Sequence, residues 1–260
     1  MQILALGRNW DLVLFILLSV TLGYYLWRIR MNKPLPTIRR IPALDAIEDG
    51  VGRSVETGKM VFFEPGSAVL SGGPFVPMTL AAMNVLRYTS RLCAKRGAKF
   101  VYGTVGTEAL PLAQGIIEES YKAEGKSEEY RPENIIYFGS GFSGNMAESS
   151  YMVTEGCASL VMVGVFYTSC LVVLGASARS GAIAIGGTAR WIMMYAFGIA
   201  ADYIFIMEDL YAASALVSGD PATTSTLAVE DVLKIFVLGL TIVGIVLVGL
   251  GFKFADMMKL

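Results

Sequence analysis

Two stretches of the chain are apolar almost without interruption, and between them the spacing of apolar positions switches repeatedly between short runs and a helical period. The first stretch, Leu12 to Ile29, carries no charge except Arg28. About eighteen residues rising about 1.5 Å each nearly cover a hydrocarbon core about 30 Å thick, so this run predicts a membrane-spanning helix over 12–29. Trp10 stands at one end and Tyr24, Tyr25 and Trp27 at the other, where amphipathic rings settle at headgroup level. The second stretch, Ile235 to Phe252, is uncharged and bounded by Lys234 and Lys253, predicting a second span over 235–254. Gly239, Gly244 and Gly249 recur every five residues, which does not keep them on one face, so the small-residue dimer pattern is absent.

From about Pro34 to Thr226 the pattern becomes an alternation of β-branched or aromatic runs with helical stretches, the signature of an α/β fold. The expected strands are Met60 to Phe63, Lys99 to Tyr102, Asn134 to Phe138, Leu160 to Val165, Ala182 to Ile185 and Tyr203 to Met207. Pro42 opens a helix with apolar positions three to four apart, ended near Gly58. Thr107 and Glu108 are expected to cap a helix running through Leu112, Ile116 and Ile117. Gly97, Gly125 and Gly181 close others where a left-handed residue is wanted. Short parallel strands joined by helices need cover on both faces, so the expectation is one Rossmann-like, mostly parallel sheet domain flanked by the two transmembrane helices. A rival remains: Ala158 to Ala178 is also uncharged and reads as a third span by hydropathy alone. Gly164 and the change of pattern at Thr168 favour a buried strand feeding a helix, with Trp191 to Ala201 as a short crossover helix.

The resulting organisation is a tail over 1–11, a span over 12–29, a basic linker over 30–41, the α/β domain over 42–226, a linker over 227–234, a span over 235–254 and a tail over 255–260. Arg28, Arg30, Lys33, Arg39 and Arg40 follow the first span instead of preceding it, which argues for an anchor over a cleaved signal peptide. The same cluster places the N-terminus outside a cell membrane and the domain in the cytoplasm.

Composition agrees with a membrane protein: of 260 residues 54% are hydrophobic and 17% charged. The net charge of -1, from 21 basic and 22 acidic residues, offers no basic field for nucleic acid. Cys93, Cys157 and Cys170 have no C-x-x-C spacing and read as reduced, buried residues. Histidine is absent, which excludes serine-histidine, cysteine-histidine and H-E-x-x-H chemistry.

The stretch Ile41-Pro42-Ala43-Leu44-Asp45-Ala46-Ile47-Glu48 through Gly58, Val61, Glu64, Pro65 and Gly66 carries a resemblance, as do Gly181 to Thr188 and Asp202-Tyr203-Ile204 through Glu208, Asp209 and Leu210. It resembles a prokaryotic, membrane-anchored family known as domain of unknown function 6754. The resemblance implies an α/β membrane-anchored protein and brings no activity and no catalytic residues with it.

The sharpest motif is Gly139-Ser140-Gly141-Phe142-Ser143-Gly144 after the third expected strand, a G-x-G-x-x-G at a strand-to-helix turn. Such a turn lets a phosphate group approach backbone N–H groups at a helix N-terminus. Two departures weaken a dinucleotide reading: no acid follows at the end of the next strand, and the fingerprint normally follows the first strand. Its bland counterpart is a tight turn with close helix packing. Glu64, Glu108, Glu208 and Asp209 all follow expected strands, where their oxygens would hold Mg²⁺ or Ca²⁺ if they converged; acids also favour helix starts through the dipole alone. Ser169 and Cys170 lack a histidine to activate them and read as a helix start. The turns Gly103 to Thr107 and Gly186 to Thr188 reach no motif, and Trp191 to Phe197 reads as core or interface. No P-loop occurs, and neither span has an ionisable residue in its interior, which disfavours a transporter. No catalytic constellation and no cofactor can be named. Apolar helices such as Phe75 to Leu86 favour a structural or assembly subunit, self-associating or joined to a larger membrane complex. The alternative is a nucleotide- or anion-binding domain, with or without catalysis, built on Gly139, Gly141 and Gly144.

Overall fold

A computed structural model describes residues 9–250, with side-chain environments from Leu12 onward. Residues 1–8 of the expected tail over 1–11, the expected tail over 255–260 and the end of the second expected span lie outside the described residues. Helix α1 (Asn9–Arg30) is followed by α2 (Pro42–Thr57), β1 (Met60–Gly66), α3 (Val76–Arg96), β2 (Phe100–Thr104) and α4 (Leu110–Ala123). Then come β3 (Ile135–Tyr137), α5 (Gly141–Glu155), β4 (Cys157–Val165), α6 (Cys170–Ser180) and β5 (Ile183–Thr188). The last described elements are α7 (Met194–Ala200), β6 (Tyr203–Ile206), α8 (Asp209–Ser218) and α9 (Pro221–Gly249). It divides into two units: Arg39–Ser218, and the terminal segments that contain α1 and α9.

All six expected strands are present and form one all-parallel sheet of order β3-β2-β1-β4-β5-β6. The central strands β1 and β4 are buried along their whole length. Because successive side chains point to opposite faces, each strand feeds two cores. Val61, Phe63, Val161 and Val163 pack with residues of α2, α3, α4 and α8. Met60, Phe62, Leu160 and Met162 pack with residues of α5, α6 and α7. The result is a three-layer α/β/α domain, as the alternating pattern predicts.

The uncharged run 158–178 resolves into β4 and α6, with the break at Thr168 as expected. Pro42 begins α2 and Gly58 ends it in a left-handed conformation, φ 68°. Gly97 and Gly181 do the same for α3 and α6. The apolar segment 75–86, expected to offer a surface to other chains, instead serves the domain's own interior: Met78, Ala81, Ala82, Met83, Val85 and Leu86 are all buried in the core. Helix α3 covers the middle of the sheet, which needs an apolar face of that length.

Among the described residues, two helices are long and apolar enough to cross a membrane, Leu12–Arg30 and Pro221–Gly249. Helices α1 and α9 pack against each other. Residues 227–234, expected as a linker, are helical and continuous with the second apolar segment, because Asp220 caps a helix that starts earlier. Its carboxylate accepts the backbone N–H groups of Ala222 and Thr223 at 3.1 and 3.2 Å, with Pro221 at the first helical position.

Close packing of helix on sheet rests on particular glycines. A Cβ at Gly50 in α2 would run into the Ser159 side chain of β4, whereas one at Gly115 in α4 meets nothing within 4 Å. Gly50→Ala is expected to destabilise the domain by about 1–3 kcal/mol through overpacking. Gly115→Ala is expected to stabilise it by roughly 0.5–1 kcal/mol through helix propensity. Denaturant titration of the detergent-solubilised chain reads both; equal effects would contradict the packing assigned to α2.

Candidate functional site

In an open parallel sheet, the connections after neighbouring strands leave on opposite faces where the strand order reverses, and a crevice opens at the strands' carboxyl ends. Here that point lies between β1 and β4: β1 leads to α3 on one face and β4 to α6 on the other. A cleft of about 420 Å³ occupies this end of the sheet, lined by Ser67, Val105, Gly106, Gly141, Phe142, Asn145, Tyr167, Thr168 and Ser169. A larger hollow of about 620 Å³, with Arg53 and Asp202 in its wall, lies at the start of β5 and β6, the end of such sheets that does not ordinarily receive ligands.

The walls of the cleft are held by specific contacts. After β1 the loop 67–75 is gripped by Glu108, whose carboxylate accepts the backbone N–H groups of Leu70 and Ser71 at 2.7 and 2.6 Å and the Ser71 hydroxyl at 3.2 Å. Those backbone donors hold the Glu108 carboxyl below its ordinary range. Glu108 is therefore not the cap of α4, which starts at Leu110 without a side-chain cap. On the far side, the Arg190 guanidinium donates to the Phe166 carbonyl at 2.7 Å and lies 4.2 Å over the Tyr167 ring and 5.0 Å from that of Phe75. It fixes the turn that presents Tyr167, Thr168 and Ser169 to the cleft.

The glycine motif has divided roles. Gly139 and Gly141 have φ of 97° and 73° with open space around them, so glycine is needed there for conformation. Gly144 is needed for packing, since a Cβ would meet the Gly139 carbonyl and the Val105 side chain. Ser140 is the N-cap of α5 but makes no side-chain cap, so the first N–H groups of α5 are left for another acceptor, and Gly141 and Phe142 stand in the cleft wall.

Beneath this turn lies a pair of acids. Glu64 shares the strand parity of Met60 and Phe62, which points it toward α5, and Glu148 sits on the buried stripe of α5 between Gly144 and Met152. Glu64 is 1% exposed and Glu148 0%. Among the described residues, neither Glu64 oxygen has a hydrogen-bond partner, nor has Oε1 of Glu148; Oε2 of Glu148 receives Asn145 Nδ2 at 3.4 Å. Asn145 thus joins the buried pair to the cleft. Burial raises both carboxyls, Glu64 further through the charge of Glu148, and Glu148 rises to about 8 despite the Asn145 hydrogen bond.

The four acids proposed from sequence do not converge. Glu108 holds a loop, Asp209 pairs with Arg39 at 2.7 Å and accepts the Ile206 N–H, Glu208 adds to the field around Arg39, and Glu64 turns toward Glu148. Among the described residues no group of three or more cysteines and acids gathers as metal ligands. Glu148 escaped the sequence reading, although its place four residues after Gly144 and four before Met152 marks it as a core position of α5. Cys93, Cys157 and Cys170 are free and buried, and burial pushes the Cys170 thiol up to about 12, far from a reactive thiolate. Ser169 does line the cleft.

Strand order, crossover pattern and cleft define a Rossmann-type α/β module, in a chain with two helices fit to span a membrane. The chain belongs to the family described as Domain of unknown function (DUF6754), whose profile matches residues 1–258. No curated protein and no solved structure matched the sequence.

The buried pair makes stability depend on pH. Both carboxyls are raised in the folded state, so folding favours their protonated forms. Their contribution is fully present below the ordinary value of 4.5 and is lost as pH rises to about 8, the folded value for Glu148. In EDTA-containing buffer the midpoint of thermal unfolding should fall across that window. Glu148→Gln should flatten the fall and leave the variant more stable than the parent above pH 8, by a few kcal/mol at roughly 1.4 kcal/mol per pKa unit. An unchanged pH profile in the variant would remove Glu148 from this role.

Proposed function

We propose that the domain formed by Arg39–Ser218 binds a small anionic molecule, bearing phosphate or carboxylate, in the cleft between β1 and β4. The observation that carries this reading is the uncapped N-terminus of α5 at the wall of a cleft of about 420 Å³, at the sheet end that serves as the ligand crevice of such folds. That volume suits a metabolite, and Ser67, Thr168 and Ser169 add hydroxyl donors. The dinucleotide arrangement is not the one supported: the glycine turn follows β3, at the sheet edge, and β1 leads into a long loop instead of a tight phosphate turn. In this reading α1 and α9 tether the domain to a cell membrane, with the N-terminus outside and the domain in the cytoplasm. Arg28 and Arg30 in the last turn of α1, with Lys33, Arg39 and Arg40 after it, support that orientation.

A second reading, a subunit that assembles with copies of itself or with other membrane proteins, is favoured by one surface. Trp191 and Ile199 are 72% and 79% exposed, and Ile192 and Tyr195 beside them are also exposed, in the segment that covers β5 with Phe197. Apolar side chains grouped this way mark interaction surfaces. The two readings are compatible, since the surface and the cleft use different residues.

Two measurements separate them. For the cleft, the detergent-solubilised chain would be screened by thermal shift against nucleotides, sugar phosphates and carboxylates, and Kd determined for any that stabilise it. Phe142 is 62% exposed at the start of α5, so Phe142→Glu should leave the fold intact and weaken an anionic ligand about tenfold or more, roughly 1.4 kcal/mol, while Phe142→Lys should not. Equal binding by both variants would contradict an anion at this helix end. For assembly, the mass of the complex in mild detergent should drop to that of a single chain on combining Trp191→Glu with Ile199→Glu; an unchanged mass would remove this face from any interface.

A further inference from the structure

We propose that Glu64 and Glu148 hold a divalent cation, Mg²⁺ or Ca²⁺, in the interior of the domain on the inner side of Asn145. Three carboxylate oxygens, both of Glu64 and Oε1 of Glu148, are buried without a hydrogen-bond donor among the described residues. Two facing carboxylates in this position need a compensating positive charge, because an unpaired buried charge is among the costliest features a core can hold. Protons also meet this need, one shared proton giving a single donor and two protons neutralising both groups, so a cation and protons compete for the same oxygens. A divalent cation accepts six or more oxygen ligands, so it can engage all three and offset both charges.

The donor chemistry selects a hard ion. Every candidate ligand is an oxygen, the sequence has no histidine, and the nearby Cys170 thiol is held in its protonated form by burial and by Glu64. Asn145 supplies the route, because it lines the open cleft and also touches Glu148. The site differs from the sequence-level arrangement of Glu64, Glu108, Glu208 and Asp209, of which only Glu64 is retained. It stands apart from the anion reading, and its test uses cations alone.

The test is equilibrium dialysis and thermal unfolding of the full chain in mild detergent, stripped with EDTA and then given Mg²⁺ or Ca²⁺ at pH 6 and pH 8.5. One ion retained per chain is expected, with a rise of several degrees in Tm at pH 8.5 and a smaller one at pH 6, where protons compete for the same oxygens. Glu64→Gln and Glu148→Gln should each weaken retention at least tenfold. No retention of either ion by the parent chain overturns the proposal and leaves the pair holding protons only. Retention that survives in both variants overturns it too, by locating the ion elsewhere. Should either variant fail to fold, dialysis of the parent chain, with and without competing protons, still decides.

Discussion

A strand buried on both faces has no side to offer solvent, and that constraint governs this domain. Strands β1 and β4 are inaccessible along their length, so their alternate residues must all be matched by helices above and below the sheet. Parallel neighbours cannot be joined by a hairpin, and each connection must cross over one face. With β1 and β4 adjacent but far apart in sequence, their onward connections leave for opposite faces, through α3 and α6. The crevice between them follows from chain direction before any residue in it is chosen. What the sequence then selects is the lining: hydroxyls, small residues and one amide on the walls, and two carboxyls behind them.

Much of this was legible in the order of residues. The six strands are visible as β-branched or aromatic runs, and the helix ends at Gly58, Gly97 and Gly181 follow from a left-handed conformation that glycine adopts at no steric cost. For the run 158–178 the pattern favours a strand feeding a helix and leaves a third span as the rival, and the structure divides it into β4 and α6. The continuity of α9 was harder to see, because 227–234 was expected as a linker between the domain and the second span. Asp220 overrides that reading by satisfying the first backbone donors.

The candidate site was only half legible, for a physical reason. A glycine turn announces itself locally, since Gly139 and Gly141 meet a backbone requirement of their own positions. The partner of a buried acid is fixed by tertiary structure: Glu64 and Glu148 lie far apart in sequence and meet only once β1 and α5 are packed. Glu108 shows the converse. It stands where an acid caps a helix, yet the N–H groups of Leu70 and Ser71 in the loop after β1 offer it two well-placed donors, and that long-range grip replaces the local one.

Helix α5 joins the two halves of the site. Its N-terminus, with unsatisfied N–H groups and the positive end of the helix dipole, stands at the cleft. Glu148 lies two turns further on, roughly 10 Å along the axis at about 1.5 Å per residue. An anion at the first position and a cation at the second would be too far apart to touch, with Asn145 between them, but close enough in a poorly solvated interior to feel each other's charge. A cation beside Glu148 offsets the negative field that two ionised carboxylates would otherwise project toward the mouth of the cleft. Without it, an anion approaching Gly141 and Phe142 would face that field unless protons had neutralised the pair. The same acids that look ill-suited to an anion-binding cleft therefore become a means of tuning it, through whatever positive charge occupies the interior.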